Sequence, residues 1–253
     1  MSPFRCYILC TSPRSGSTLL CKLLTATGKA GRPDSHFHEP SLAAWLGYYD
    51  LERADFSSER EALAAAVEAA RQTGTGDTGI FGLRLQRHSF DFFMQQLGRL
   101  YPGLKSDSAR IEAAFGPTRF LHLTRLGKLD QAVSYVKAEQ TGLWHRAADG
   151  SELERLSEPQ DPSYDADAIA KRLAEAEALD AAWRTWFAVE GITPLQLTYE
   201  ALAENPHATL ATIMDALEVE WQPSRPVDPP VAKLADAVSR DWASRFLAER
   251  KGP

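Results

Sequence analysis

The stretch that most constrains this chain is Thr11–Thr18, Thr-Ser-Pro-Arg-Ser-Gly-Ser-Thr, set between an apolar run and a helix-like run. Tyr7-Ile8-Leu9-Cys10 precedes it, and Leu19-Leu20-Cys21 with Leu23-Leu24 follows. A strand, a short hydroxyl-rich loop and a helix start form a ready anion site. The helix N-terminus presents unpaired N–H groups and the positive end of its dipole. Gly16 lets the backbone approach the anion closely. Ser15, Ser17 and Thr18 add hydroxyls, and Arg14 adds a charged fork suited to phosphate or sulfate. An ordinary turn has the same composition, and it is the strand–loop–helix context that favours the anion. The loop is not a Walker A loop, because no lysine stands where that motif requires one.

The rest of the chain repeats the alternation. Strands are expected at Phe4–Cys10, Ile80–Leu85, Arg119–Thr124 and Pro194–Thr198. Helices are expected at Ser17–Thr27, Leu42–Leu46, Ser58–Gln72, Phe90–Leu97, Asp107–Phe115, Lys128–Glu139, Asp165–Val189, Ala208–Leu217 and Ala237–Arg250. Ser57 or Ser58 offers an N-cap with Glu61 near capping-box spacing, and Gly28 a C-cap. The polar Gly150–Ser163 segment reads as a long surface loop, and Gln222–Pro230 as a Pro-rich extended segment. Leu173, Leu179, Trp183, Trp186 and Phe187 fall near one stripe of the long helix and read as core. Strands alternating with helices predict an α/β fold whose parallel sheet is covered on both faces. Ligands in such sheets bind at the carboxyl ends of the strands, where the first loop sits.

The chain has 253 residues, which suits one domain, 1–253, with a large core. Its formal net charge of −6 argues against nucleic-acid binding by overall charge, so local arginines and amides must hold any anion. No run is long enough to span a membrane, and Tyr7–Cys10 is too brief for a signal-peptide core. Cys6, Cys10 and Cys21 lie in apolar settings and read as reduced thiols of a cytoplasmic protein.

A second constellation follows the third strand. Arg125 stands at its end, and Ser134 lies nine residues on, in the next helix. Alone, Arg125 reads equally well as a solvated loop residue. With the first loop, the pair can grip a second anionic group.

These motifs resemble those of sulfotransferases. Thr11–Leu20 is similar to their 5′-phosphosulfate loop. Thr124-Arg125 with Val133-Ser134-Tyr135 is similar to their 3′-phosphate motif, and Tyr199-Glu200-Ala201-Leu202 with Asn205-Pro206 to a further shared segment. Ala30-Gly31-Arg32-Pro33, the Gln131–Ser134 helix and Gln140-Thr141-Gly142-Leu143-Trp144 look like the bacterial Stf-zero family. The resemblance runs from about Tyr7 to Trp242. It implies a P-loop NTPase-like parallel sheet of about four to five strands flanked by helices. It also implies a sulfotransferase with 3′-phosphoadenosine 5′-phosphosulfate (PAPS) as donor, no metal, and a carbohydrate or other small alcohol as acceptor. Arg14, Ser15, Gly16, Ser17 and Thr18 would hold the 5′-phosphosulfate, with Arg14 catalytic. Arg125 and Ser134 would hold the 3′-phosphate. The sequence leaves the oligomeric state open, and relatives in the family form homodimers.

One loop departs from the pattern. The member that typifies the family has Gly-Glu-Pro-Gln-Glu-Phe-Phe after the first helix, its second glutamate being the proposed general base. This chain has Gly31-Arg32-Pro33-Asp34-Ser35-His36-Phe37. A serine cannot serve as that base, so the candidates are Asp34, His36, His38 and Glu39. A histidine near neutral pKa suits proton removal from a hydroxyl, and Asp34 two residues earlier would share its face in an extended loop. His36 is therefore the expected base, oriented or replaced by Asp34. His36, His38 and Glu39 lack a third well-spaced ligand for a metal. Arg84, at the end of the second strand, is expected either in the acceptor cleft or at the strand edge. The rival readings are a non-catalytic PAP- or PAPS-binding protein, kept open by the altered loop, and a P-loop-type kinase.

Overall fold

The computed structural model describes residues 3–222, 234 and 236–251. Most of the Pro-rich segment expected at Gln222–Pro230 lies outside the described residues. The chain opens with strand β1 (Cys6–Thr11) and helices α1 (Ser17–Ala26), α2 (Leu42–Gly47) and α3 (Glu59–Thr75). Strand β2 (Phe81–Gln86) leads directly into α4 (Arg87–Leu100), then α5 (Asp107–Phe115), β3 (Thr118–Thr124) and α6 (Lys128–Thr141). A pair of short strands, β4 (Leu143–Arg146) and β5 (Glu152–Arg155), precedes the long helix α7 (Ala166–Glu190). Strand β6 (Leu195–Thr198), α8 (Tyr199–Glu204), α9 (Pro206–Ala216) and α10 (Ala237–Lys251) complete the order.

The main sheet has four parallel strands in the order β2-β1-β3-β6. All six residues of β1 are buried, which is why that stretch reads as a continuous apolar run. Successive side chains go to opposite faces. Cys6, Ile8 and Cys10 join the core under α3, α4, α5 and α7, with Leu63, Phe93 and Trp183. Tyr7 and Leu9 join the core under α1 and α9, with Leu20, Leu24 and Ile213. A smaller cluster ties α6 and α7 to α10 through Val133, Ile169, Trp242 and Phe246. The chain leaves β1 towards β2 on one side and returns past it to β3 on the other. The order thus reverses at β1, and a crevice opens beyond the carboxyl ends of β1 and β3.

The helix starts follow local chemistry. Ser58 accepts from the Glu61 N–H at the head of α3, while the Glu61 carboxylate reaches back to the Ser57 amide at 2.9 Å. Asp165 caps α7 in the same way. The segment expected as the Gly150–Ser163 loop instead contains β5, which pairs antiparallel with β4. The turn is signalled by Asp149-Gly150. Gly150 has φ +89°, and the Asp149 carboxylate accepts from the Ser151 amide at 2.9 Å. Half of the residues in these two strands are charged and the strands lie outside the main cores, so no apolar alternation marks them.

Candidate active site

The loop after β1 is fixed from below by buried polar groups. The Trp183 indole N–H donates to the Thr11 carbonyl at 2.8 Å. The Gln131 amide donates to Ser12 Oγ at 3.0 Å and to the Pro13 carbonyl at 2.7 Å. Ser12 Oγ in turn donates to Asp180 Oδ1 at 3.4 Å. Asp180 is 1% exposed and also takes hydrogen bonds from Lys128 Nζ and Thr124 Oγ1. A buried carboxylate in this position is stable only because it is paired and bonded on every side. Sequence reasoning read its helix stripe as apolar core and missed it, since nothing local marks one aspartate among the exposed acids of α7.

Two left-handed residues shape the loop, Arg14 at φ +61° and Gly16 at φ +89°. The Arg14 conformation costs roughly 1–2 kcal/mol and is held by its side chain. Nε donates to Ser134 Oγ at 3.1 Å and a terminal nitrogen to the Trp144 carbonyl at 2.6 Å. At Gly16 a Cβ would sit 2.4 Å from Tyr199 Cδ2, so only glycine fits. Helix α1 begins at the next residue with no side chain capping it, leaving first-turn amides free to face an anion.

Arg125 lies beside this loop. Its guanidinium stacks 4.6 Å from the centre of the Tyr199 ring and donates to the Arg14 carbonyl at 3.4 Å. Its buried Nε has no partner among the described residues. Glu200 holds the turn that carries Arg125, accepting from the Leu126 and Gly127 amides at 3.1 Å. Burial alone would raise the Glu200 pKa, but these amides and Arg125 hold it below the usual glutamate value. Burial and the neighbouring Arg125 push the Arg14 pKa down to about 10. Two guanidiniums this close produce a field that an anion would relieve.

Arg84, two residues before the end of β2, donates to Ser35 Oγ at 2.7 Å, Thr18 Oγ1 at 2.8 Å and Asp34 Oδ1 at 3.3 Å. Thr18 Oγ1 also meets His145 Nε2 at 3.1 Å, and that nitrogen lies 3.4 Å from Glu154 Oε2. Burial first, then Arg14, Arg84 and Lys22, push the His145 pKa down to about 4. The His38 and His88 rings meet edge-on at 5.2 Å, and burial lowers both pKa values.

All of this surrounds one cleft of about 680 Å³. Arg14, Gly16, Ser17, Thr18, Arg125 and Ser134 line it, as the sequence leads one to expect. Ser15 does not. Its hydroxyl turns inward against that of Thr11, leaving only its backbone for a ligand. His38, Arg84, His88, His145 and Glu154 line it too.

The expected base is displaced from the cleft. A turn at His36 and Phe37 breaks the alternation expected of an extended loop. His36 is 6% exposed, packed between Tyr49 and Phe81, with Nδ1 2.7 Å from the Tyr49 hydroxyl. Asp34 points the other way, 73% exposed, and holds Arg84. Asp34 and His36 therefore share no face, and neither lines the cleft. Glu39 bonds the Tyr48 hydroxyl at 3.2 Å and lies outside the cleft as well. His145 and Glu154 were missed because the hairpin was read as a loop, and Asp149-Gly150 was the available signal. Among the described residues no group of three or more His, Cys, Asp or Glu could hold a metal ion, and no helix is long and apolar enough to cross a membrane.

The family model described as Stf0 sulphotransferase matches residues 6–249. The chain is 30% identical to trehalose 2-sulfotransferase of Mycobacterium tuberculosis, over 97% of this chain and 95% of that protein. It is 28% identical to trehalose 2-sulfotransferase of Mycolicibacterium smegmatis, over 97% of this chain and 96% of that protein. It is 14% identical to the solved sulfotransferase of Alicyclobacillus acidocaldarius, at a TM-score of 0.45, with 98% of this chain and 93% of that chain covered.

Proposed function

The chain belongs to the Stf0 sulphotransferase family, and from that premise we propose that it moves a sulfuryl group from PAPS to a hydroxyl of a carbohydrate or other small alcohol. The observation that carries the donor assignment is the pair of anion subsites on one cleft wall. One is the glycine cradle with free helix amides at Gly16–Thr18. The other is Arg125, whose buried Nε is unpartnered, together with Ser134, which lines the same cleft. A donor with a phosphosulfate at one end and a 3′-phosphate at the other fits that spacing of chemistry. ATP has no group for the second subsite, which sets the kinase reading aside. A carbohydrate acceptor agrees with both mycobacterial relatives being trehalose 2-sulfotransferases.

In this reading the α1 amides and Arg14 bind the phosphosulfate, and Arg125 with Ser134 binds the 3′-phosphate. PAPS supplies an activated sulfuryl group whose in-line displacement follows the logic of phosphoryl transfer, where positioning and charge stabilisation supply most of the catalysis. Negative charge grows on the bridging oxygen as the bond to sulfur breaks, and Arg14 meets it there. The positive φ of Arg14 and its bonds to Ser134 and Trp144 pre-set the guanidinium, so little reorganisation is needed at that moment. Arg84 on the far wall, bonded to Thr18, meets the charge on the sulfuryl oxygens. Three buried free cysteines fit a reducing, cytoplasmic setting.

Thermal shift and calorimetry with PAP, PAPS, AMP, ADP and ATP test this assignment. PAP and PAPS should stabilise the protein, and AMP should do so far more weakly. Equal responses to PAP and AMP would remove Arg125 and Ser134 from the donor site.

A further inference from the structure

Sulfuryl transfer to a hydroxyl requires a group that takes the hydroxyl proton. The cleft-lining residues that titrate as acids or histidines are His38, His88, His145, Asp130 and Glu154. Asp130 sits on α6, within 3.0 Å of the position a Cβ on Gly127 would take, on the 3′-phosphate side. His38 and His88 contact each other. His145 alone among the three histidines is bonded to the anion loop, at Thr18, and is joined to a carboxylate, Glu154. We propose that His145, backed by Glu154, is the base that accepts the acceptor's proton. The proposal rests on the sulfotransferase reading above and deepens it.

The hydrogen-bond network assigns the proton positions. Arg84 can only donate, so its 2.8 Å contact makes Thr18 Oγ1 an acceptor. The Thr18 hydroxyl hydrogen is then available to His145 Nε2 at 3.1 Å, and in the tautomer the proposal takes, that nitrogen presents its lone pair. The neutral ring carries its hydrogen on Nδ1 and aims a basic nitrogen into the cleft beside the anion loop. Glu154 Oε2, 3.4 Å from the same nitrogen, has no hydrogen to accept in that state. Once Nε2 is protonated, the carboxylate gains both an ion pair and a hydrogen bond. The pair is therefore set for the imidazolium that forms during transfer and not for the resting ring.

The step balances. The acceptor O–H proton passes to Nε2, and the oxygen electron pair forms the new O–S bond. The bond from sulfur to the bridging oxygen of the 5′-phosphate breaks, and its electrons leave with PAP. The imidazolium then returns its proton to water. The charged groups facing His145 are Arg14 from the loop, Lys22 from α1, Arg84 from β2 and Glu154 from β5. The three cations and burial keep the ring neutral at pH 7, so its lone pair is present, and they make it a weaker base than a free imidazole, which leaves Glu154 to stabilise the imidazolium.

The test uses the full chain, PAPS as donor, and trehalose or water alone as acceptor, with PAP release as the readout. His145→Asn should lower turnover at least about a hundredfold, leave PAP affinity by calorimetry unchanged, and remove the acid limb of the pH–rate profile. In the wild type that limb should fall near pH 4. A second readout needs no turnover. The His145 ring titration, followed by NMR, should move down in Glu154→Gln, because the lost anion no longer favours the imidazolium. Full turnover in His145→Asn, or a titration that ignores Glu154→Gln, overturns the proposal. Loss of turnover in His38→Asn with His145→Asn unaffected gives the role to His38. If neither PAPS nor PAP stabilises the wild type in thermal shift, the transfer reading falls and the base assignment with it.

Discussion

The two walls of the cleft are built on different principles. The wall proposed to hold the donor, called the donor wall below, rests on buried, fully bonded groups. Asp180 is 1% exposed and takes bonds from Lys128, Thr124 and Ser12, and Trp183 and Gln131 clamp the loop carbonyls. The acceptor wall is held by its own members. Arg84 joins Ser35, Thr18 and Asp34, and His145 joins Thr18 and Glu154, with the Asp34 and Glu154 side chains 73% and 46% exposed. A group that must meet charge growing at one bond gains from a rigid mount, whereas a wall that admits a polyhydroxylated acceptor gains from side chains that water can reach. The N-cap residues Ser41, Ser58, Ser106, Asp165, Thr198 and Asn205 each accept an amide of the helix they head. Gly16, Gln86 and Gly127, which head α1, α4 and α6, offer no side-chain cap.

The sharpest test of this contrast is stability. Asp180→Ala takes the buried carboxylate from the partly buried Lys128 and should cost about 3 kcal/mol in chemical denaturation. Glu154→Ala, at a half-exposed pair, should cost roughly 0–1 kcal/mol. Equal losses would break the distinction between the walls.

Next in size is Arg14→Ala. Turnover should fall on the order of a hundredfold, with a much smaller loss of PAP affinity, because PAP lacks the sulfuryl group. Unchanged turnover with a large rise in donor Michaelis constant would make Arg14 a ground-state anchor.

Acid should act on the acceptor wall first. His38, His88 and His145 have pKa values lowered by burial, His145 to about 4. The folded chain therefore binds fewer of these protons than the unfolded chain between about pH 6.5 and pH 4. Stability is full above that window and is lost as pH falls through it, by on the order of 2 kcal/mol for these groups together. Hydrogen exchange across the window should show the β4–β5 hairpin opening before β1 and β3, and the reverse order would refute the division.

A smaller effect belongs to the second donor subsite. Arg125→Ala should erase most of the preference for PAP over AMP, worth about tenfold or more in affinity by calorimetry. The smallest is His36→Asn. It should cost about 1 kcal/mol of stability through lost packing on Tyr49 and Phe81 and leave turnover unchanged.

The donor wall was largely legible because its information is local. The Tyr7–Cys10 run, the hydroxylated loop and the following helix are contiguous, and the expected Asp107–Phe115 helix has the same bounds in the structure. Even there Ser15 was read outward when it faces Thr11, because a strained loop does not alternate like a strand. The acceptor wall was misread for a related reason. His36 and Asp34 share a face only if the loop stays extended, and a turn that carries Phe37 into the core sends them apart.

The sequence by itself determined the strand–loop–helix anion site, the alternation that makes a parallel sheet, and the arginine and serine after β3. Each depends on neighbours within a few residues, through propensity, pattern and backbone chemistry. Only the tertiary structure decided which side chains share the cleft. Thr18 meets His145 across 127 residues, and Ser12 meets Asp180 across 168. Contacts at such separations arise from how the sheet and helices pack together, and no local pattern along the chain encodes them.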